Sequence, residues 1–258
     1  MSKDFILQEL MMSFKSRIRY KIGIVSDLIV ITSTYFAVYL FQTGSPFETF
    51  YNVTEKEASV LLLIGFLFWQ FGVLALGFTT SLVSDDSSTG RLEIKVQSTQ
   101  SIISIYFIQL IASFATSFLL PLVLVVITVF LRGASINLMR LLFSIIIIIP
   151  SIIGMYGIGL IIAGIGLKEK NVKNFILIVQ TVLIFVGNTL VPRENTLIST
   201  IPFSLGIDIA RDVYLHNYAS LQSVGIYILV NLFWLIIGIK VFNKFLNMEK
   251  KYGSFDTY

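Results

Sequence analysis

The chain contains no cysteine and a single histidine, His216, among its 258 residues. These absences exclude disulfide bonds, thiolate metal sites and clusters of histidine ligands. Charge is also scarce, because Asp, Glu, Lys and Arg make up 13% of the chain, against 55% for hydrophobic residues. So small a charged fraction cannot cover the surface of a water-soluble protein of this size. The composition therefore indicates a polytopic membrane protein with no metal site of its own.

Long apolar segments are what the chain has instead. A helix needs about 20 apolar residues to cross a bilayer, and the six candidate spans are 22–41, 58–83, 102–131, 141–167, 175–191 and 221–242. Their hydrophobic residues form unbroken runs, whereas the strands of a membrane β-barrel alternate. The first span is too long for the core of a cleaved signal peptide. We expect one all-α transmembrane domain over residues 1–258, with six membrane-spanning helices.

The basic residues predict the orientation of these spans. Fourteen of the 19 Lys and Arg residues lie in or beside the N-terminal segment, the gaps 84–101 and 168–174, and the C-terminal end. By the positive-inside rule, these segments face the cytoplasm, and so do both termini. Because orientation explains the net charge of +4, no nucleic-acid partner is expected. Abundant Ile, Lys, Asn and Phe favour a bacterial origin, and hence a bacterial cytoplasmic membrane.

Residues 1–20 have an amphipathic pattern. Their apolar residues at helical spacing are Leu7, Leu10, Met11, Phe14 and Ile18. Such a pattern predicts an interfacial helix that contacts membrane lipid, with its basic residues at anionic headgroups. The residues alone leave two roles open, a simple anchor or a docking surface for a cytoplasmic partner.

The charged stretch STGRLEIKVQ, residues 88–97, interrupts the apolar segments. Leu92, Ile94 and Val96 alternate with polar residues, as in a short strand. Gly90 followed three residues later by Glu93 instead fits the start of a short helix. A solvated connector is the third interpretation.

Two motifs resemble type-2 ABC exporter permeases. Residues 89–113, TGRLEIKVQSTQSIISIYFIQLIAS, resemble the family's Gly-x-Leu-Glu signature and the third span that follows it, with Arg91 where Thr is usual. Residues 201–215, IPFSLGIDIARDVYL, are similar to its Pro-x-x-x-Gly-[Ile/Leu]-x-x-x-Arg pattern before the last span. The C-terminal KKYGSFDTY resembles the family's short basic tail. The order of these motifs agrees with the family over essentially the whole chain.

The resemblance implies a mechanism with a separate energy source. Residues 88–97 would be a coupling helix, with Gly90, Arg91, Leu92 and Glu93 as the ATPase-coupling residues. Two copies of an ABC ATPase subunit would bind ATP and magnesium, and a second permease copy would complete a homodimer or heterodimer. The chain has no phosphate-loop motif, so we expect neither an enzyme nor a cofactor of its own. The cargo would be a hydrophobic or amphipathic molecule, such as a drug, an antimicrobial peptide or a lipid-linked molecule, and it would be exported.

The resemblance also implies where the substrate crosses and where its pathway closes at the outer side. The second and fifth spans would line this substrate route, and its candidate residues are Phe66, Trp69, Gln70, Gln180 and Asn188. Segment 192–220 would form an external re-entrant element, with Pro202, Gly206, Asp208 and Arg211 as its gate residues. For the Gln and Asn side chains the alternative is hydrogen bonding between helices. For Asp208 and Arg211 it is a local ion pair.

Asp27 is the only acidic residue within a predicted span. A lone carboxylate is either a neutralised interfacial charge or a part of ion coupling. Ion coupling would make the chain a secondary transporter, which is one alternative to an ATP-driven exporter. An ATP-independent, immunity-type membrane protein is the other.

Overall fold

A computed structural model of the chain describes residues 3–19, 21–41, 46–117, 119–134, 136–168, 172–192 and 197–252. Every regular element in these ranges is helical, as the sequence predicts. The helices are α1 (Lys3–Arg19), α2 (Lys21–Phe41), α3 (Pro46–Tyr51), α4 (Glu55–Ser88), α5 (Arg91–Gln97), α6 (Ile102–Thr116), α7 (Leu119–Arg132), α8 (Leu138–Ile146), α9 (Ile148–Lys168), α10 (Lys173–Val186), α11 (Ser204–His216) and α12 (Leu221–Tyr252), with a 3-10 turn at Ile198–Thr200.

Five stretches of the described residues are long and apolar enough to span a membrane. They are Lys21–Leu40, Glu55–Ser88, Ile102–Leu131, Leu138–Lys168 and Leu221–Lys251. They correspond to the first four predicted spans and the last. α6 and α7 share the third of them, and α8 and α9 share the fourth.

The predicted span 175–191 is not confirmed as one helix. α10 ends at Val186 after 14 residues, a length of about 21 Å against a hydrocarbon core of about 30 Å. The chain then turns at Gly187 and Asn188, whose φ of 60° lies in the left-handed region. A side chain at Gly187 would meet the Phe203 ring, because its Cβ would lie 2.3 Å from Cε2. Close packing against Phe203 therefore accompanies the end of this helix.

α4 is the central helix of the fold and is longer than the predicted span 58–83. It begins with a capping box, in which the Thr54 hydroxyl accepts a hydrogen bond from the Glu57 N–H and the Glu57 carboxylate accepts one from the Thr54 N–H. Three turns of its apolar core, from Ala58 to Phe68, are almost wholly buried. The capping residues, which are polar, extend the helix beyond the apolar segment from which the span was predicted.

Close backbone packing joins α9 to α12 and α4. A Cβ atom at Gly157 would lie 2.4 Å from the Trp234 carbonyl oxygen, and one at Gly238 would lie 2.2 Å from the Gly157 carbonyl oxygen. On another side of α9, a Cβ at Gly159 would lie 3.0 Å from the Leu76 carbonyl oxygen of α4. Glycines therefore allow these helices to approach more closely than any side chain would permit.

α1 packs along α6, and the Gln109 amide donates a hydrogen bond to the Glu9 carboxylate. Leu7, Met11, Phe14 and Ile18 are all exposed. Most of the predicted apolar stripe therefore lies away from the protein core.

Candidate functional site

The stretch 88–97 contains a helix, α5, that follows a sharp turn after α4. Gly90 has a φ of 70°, a left-handed conformation that costs a glycine little. Leu92 is 1% exposed, whereas Ile94 is 72% exposed. A strand would place these two residues on the same face, so the helix explains why they differ.

Asp86, near the end of α4, anchors α5. Its carboxylate is 2% exposed, lies 3.2 Å from Arg91 Nε, and forms a second ion pair with the Lys95 ammonium. The Tyr106 hydroxyl of α6 donates a hydrogen bond of 2.9 Å to the same carboxylate. Lys95 also lies over the Tyr106 ring, 4.8 Å from its centre. We call these four residues the Asp86 cluster, and they join α4, α5 and α6 through one buried charge.

The predicted ATPase-coupling residues therefore differ in their surroundings. Gly90 makes the turn, Leu92 packs into the core, and Arg91 pairs with Asp86. Glu93 is partly exposed beside Ile94. The sequence reasoning missed Asp86, Lys95 and Tyr106, although an acid just before a short basic helix was a usable signal.

A cavity of about 460 Å³ lies between α2, α4, the α6–α7 junction and α10. We call it the membrane cavity, because its walls come mainly from candidate spans. Its lining residues are Ile24, Asp27, Leu28, Val30, Ile31, Thr34, Trp69, Gln70, Phe71, Val73, Leu74, Gly77, Phe78, Ser81, Thr116, Ser117, Leu119, Leu120 and Gln180. The structure thus brings three of the five predicted route residues, Trp69, Gln70 and Gln180, into one cavity.

Two of these route residues also connect helices. The Trp69 indole N–H donates a hydrogen bond of 3.1 Å to the Gln180 carbonyl oxygen. The Gln180 side-chain amide donates one of 3.1 Å to the Val73 carbonyl oxygen. α10 is therefore held against α4 beside the cavity, which is the bonding between helices that the alternative interpretation proposed.

The other two route candidates lie elsewhere. Phe66 is fully buried, with its ring centre 5.0 Å from that of Tyr35 and 5.3 Å from that of Trp69. Asn188 donates a hydrogen bond of 3.0 Å to the Asp208 carboxylate, which belongs to the predicted outer gate. Neither residue lines the membrane cavity.

Arg211 of α11 is completely buried and binds three main-chain carbonyl groups. Its guanidinium donates to the carbonyl oxygens of Leu61 at 3.1 Å, Asn188 at 2.9 Å and Thr189 at 3.1 Å. The guanidinium carbon also lies 4.6 Å from the centre of the Phe47 ring. We call these five residues the Arg211 cluster, which connects α3, α4, the unwound end of α10 and α11.

Gly65 makes room for the Arg211 guanidinium. A Cβ atom at this position would lie 2.5 Å from Arg211 Nη2 and 2.7 Å from the Thr189 carbonyl oxygen. Any side chain there would displace the arginine or the main chain that it binds. This glycine of the second span thus packs against the Arg211 cluster, although the sequence patterns did not single it out.

The direct ion pair considered for Asp208 and Arg211 is absent from the described part of the chain. The Asp208 carboxylate accepts hydrogen bonds from the Asn188 amide instead. Burial raises the pKa of Asp208 to about 6, although Arg211 and the Asn188 hydrogen bond oppose this shift. Burial likewise lowers the pKa of Arg211, although Tyr51 and Asp208 oppose that change.

The two remaining gate candidates pack against α12. The Pro202 carbonyl oxygen accepts a hydrogen bond of 3.0 Å from the Asn231 amide. A Cβ atom at Gly206 would lie 2.6 Å from the Tyr227 ring. All four gate candidates are therefore built into the contacts of α11 and the turn before it. The polar run 193–196 and the last six residues of the tail lie outside the described residues.

Comparison with known proteins identifies the family. The family model described as ABC-2 type transporter matches residues 9–215. No curated protein shows significant similarity to the chain. The matched region contains the Asp86 cluster, the lining of the membrane cavity and the Arg211 cluster. The chain therefore belongs to the ABC-2 type transporter family and is a multi-pass membrane permease subunit of that type.

Proposed function

We propose that this permease is the membrane subunit of an ATP-driven exporter in a bacterial cytoplasmic membrane. Its cargo would be a hydrophobic or amphipathic molecule, such as a drug, an antimicrobial peptide or a lipid-linked molecule. ABC-2 permeases in general imply a dimer and an ATPase partner, and we propose two ATPase copies with a second permease copy, in a homodimer or a heterodimer. The ATPase would bind ATP and magnesium, since this chain has no phosphate-loop motif.

The observation that carries the proposal is the attachment of α5. The Asp86 cluster joins this short helix to the ends of two spans, while Ile94 remains exposed on its other side. A rigidly attached helix with a free face can transmit a push from a partner to the spans. We propose Glu93 and Ile94 as the residues that contact the ATPase, with Arg91 and Leu92 holding the helix in place.

We propose that α10 and residues 187–191 together cross the membrane. This crossing, added to the five spanning stretches, gives six in total. Six crossings return both termini to the cytoplasm, in agreement with the positive-inside rule. Unwound main chain can lie at membrane depth only where protein satisfies its polar groups. Arg211 supports this arrangement, because it binds the carbonyl oxygens of Asn188 and Thr189.

We place α11 and the turn before it at the outer end of the route, as a re-entrant gate. Their contacts with α4, α10 and α12 support this role, because they connect the helices that a gate would have to move. We place α1 in the cytoplasmic interface, where its exposed apolar residues would contact membrane lipid.

The first experiment is affinity purification of the chain from native membranes under gentle solubilisation, with mass spectrometry of what accompanies it. We expect a stoichiometric protein with a phosphate-loop motif. Ile94→Asp should reduce the recovered ATPase by about tenfold, because it places a charge in the apolar contact. Leu221→Asp is the matched control, since Leu221 is 89% exposed at the start of α12; it should leave recovery unchanged.

A second pair of variants tests the transmission of force. Asp86→Asn should retain the ATPase but lose the stimulation of its activity by cargo, whereas Asp4→Asn, which removes the same charge from an exposed position of α1, should behave as the unaltered chain. Full recovery of the ATPase with Ile94→Asp would contradict the docking assignment.

A chain that purifies alone and transports along a proton or sodium gradient, insensitive to vanadate, would be a secondary transporter. Binding without transport would indicate an immunity-type protein.

A further inference from the structure

The membrane cavity has the size and composition of a small-molecule site. Its volume of about 460 Å³ lies within the range of about 300–1,000 Å³ that is usual for such sites. Most of its wall is apolar and includes the rings of Trp69, Phe71 and Phe78. A few hydroxyl and amide groups interrupt the apolar surface. Such a wall suits an amphipathic ligand.

Asp27 is the only charged residue among the described residues that line this cavity. It lies six residues into the first span, about 9 Å along the helix, and it is exposed. No described residue forms a hydrogen bond or an ion pair with it. Carboxylates inside a membrane are costly and normally face a cavity or a partner charge. Asp27 therefore faces the membrane cavity with no described side chain to neutralise its charge.

We propose that the membrane cavity binds amphipathic organic cations and that Asp27 supplies the counter-charge. This inference rests on the proposed function, because it assigns a charge class to the exporter's cargo. The aromatic rings add attraction for a cation. An organic anion of the same size would meet the carboxylate, and no Lys or Arg stands among the described lining residues to offset it.

The test uses two ions of matched shape and opposite charge, tetraphenylphosphonium and tetraphenylborate. Binding to the purified full-length protein, with whatever partner accompanies it, is measured at equilibrium in nanodiscs of neutral lipid. The unaltered protein should bind the cation in preference to the anion. Asp27→Asn should weaken binding of the cation by about tenfold, as expected for one partly solvated charge contact, and should not weaken binding of the anion. Asp27→Glu should restore most of the affinity.

Two further variants locate the effect. Asp4→Asn removes the same charge from α1, outside the cavity, and should leave both affinities unchanged. Leu74→Trp fills the cavity without altering its charge and should weaken binding of both ions. Equal affinity for the cation in Asp27→Asn and in the unaltered protein would overturn the proposal, as would unchanged binding in Leu74→Trp.

The remaining outcomes separate this inference from the proposed function. If Asp27→Asn dissociates the dimer, measured by size-exclusion chromatography with light scattering, the carboxylate pairs with a second copy and the proposal fails. If the ATPase accompanies every variant but no preference for the cation exists, the exporter assignment stands and only the cargo class is wrong. Selective binding of the cation without an accompanying ATPase would support the site and contradict ATP-driven transport.

Discussion

The Asp86 cluster and the Arg211 cluster are each built around one buried charge, but they neutralise it differently. Asp86 is met by two cations and a hydroxyl group, and one of those cations, Arg91, has a side chain that is 60% exposed. Arg211 is met by three carbonyl oxygens and an aromatic ring, all at a fully buried position.

This difference matches what each cluster joins. The Asp86 cluster ties together segments that are close in sequence, and part of it is open to salt and water. The Arg211 cluster joins residues up to 164 positions apart, from Phe47 to Arg211, and it satisfies the carbonyl groups of Asn188 and Thr189, which would otherwise be orphaned in a dry environment. We therefore expect the Arg211 cluster to dominate folding and the Asp86 cluster to dominate coupling.

Arg211→Met should have the largest effect on stability. It orphans the buried carbonyl groups of Asn188 and Thr189, and each buried group without a partner costs about 1–3 kcal/mol. We expect a loss of about 2 kcal/mol or more in the free energy of unfolding, measured by thermal unfolding in detergent. Arg211→Lys should recover only part of the loss, because one ammonium cannot reproduce the guanidinium geometry. Unfolding close to that of the unaltered protein would show that the three hydrogen bonds are dispensable.

Gly65→Ala should be the next most damaging change, although it adds only a methyl group. The added carbon would overlap both Arg211 and the Thr189 carbonyl oxygen, and overpacking of this kind costs about 1–3 kcal/mol. Gly225→Ala is the matched control, because a Cβ there has no neighbour within 4 Å. Alanine has a higher helix propensity than glycine, so the control variant should be as stable as the unaltered protein or more stable. Equal unfolding temperatures for the two variants would refute the close packing at Gly65.

Arg91→Gln should have the smallest effect. Because its side chain is largely exposed, its ion pair with Asp86 should contribute less than about 1 kcal/mol. Raising the salt concentration should reduce this contribution further by screening. Arg91→Gln should therefore lose less free energy of unfolding at high salt than at low salt. The loss caused by Arg211→Met should be nearly the same at both salt concentrations. The same salt dependence for both variants would remove the distinction between the two clusters.

Local patterns predicted several features that depend on short stretches of chain. The apolar segments identified five helical stretches of spanning length, and Gly90 marked the start of α5. The same reasoning placed Leu92 and Glu93 in one coupling set, although Leu92 is buried and Glu93 is partly exposed. A sequence motif lists residue types, but it does not say which side of a short helix faces the rest of the protein.

Hydropathy was less informative where polar main chain is buried. It predicted a continuous span over 175–191, since the residues are apolar, but α10 stops at Val186. Phe203 and Arg211, which follow later in the chain, contact residues 187–189 where the helix has ended. Nothing within the segment itself shows that its carbonyl groups have a distant partner.

The sequence by itself determined that the protein lies in a membrane, that it is helical and to which family it belongs. The length of its apolar segments, the distribution of its basic residues and its short motifs are all local properties of the chain. Only the tertiary structure decided which buried charges meet, that Gly65 must remain small, and that Asp27, Trp69, Gln70 and Gln180 line one cavity. Those results depend on helices that are far apart in sequence, and their side chains acquire partners only when the helices pack.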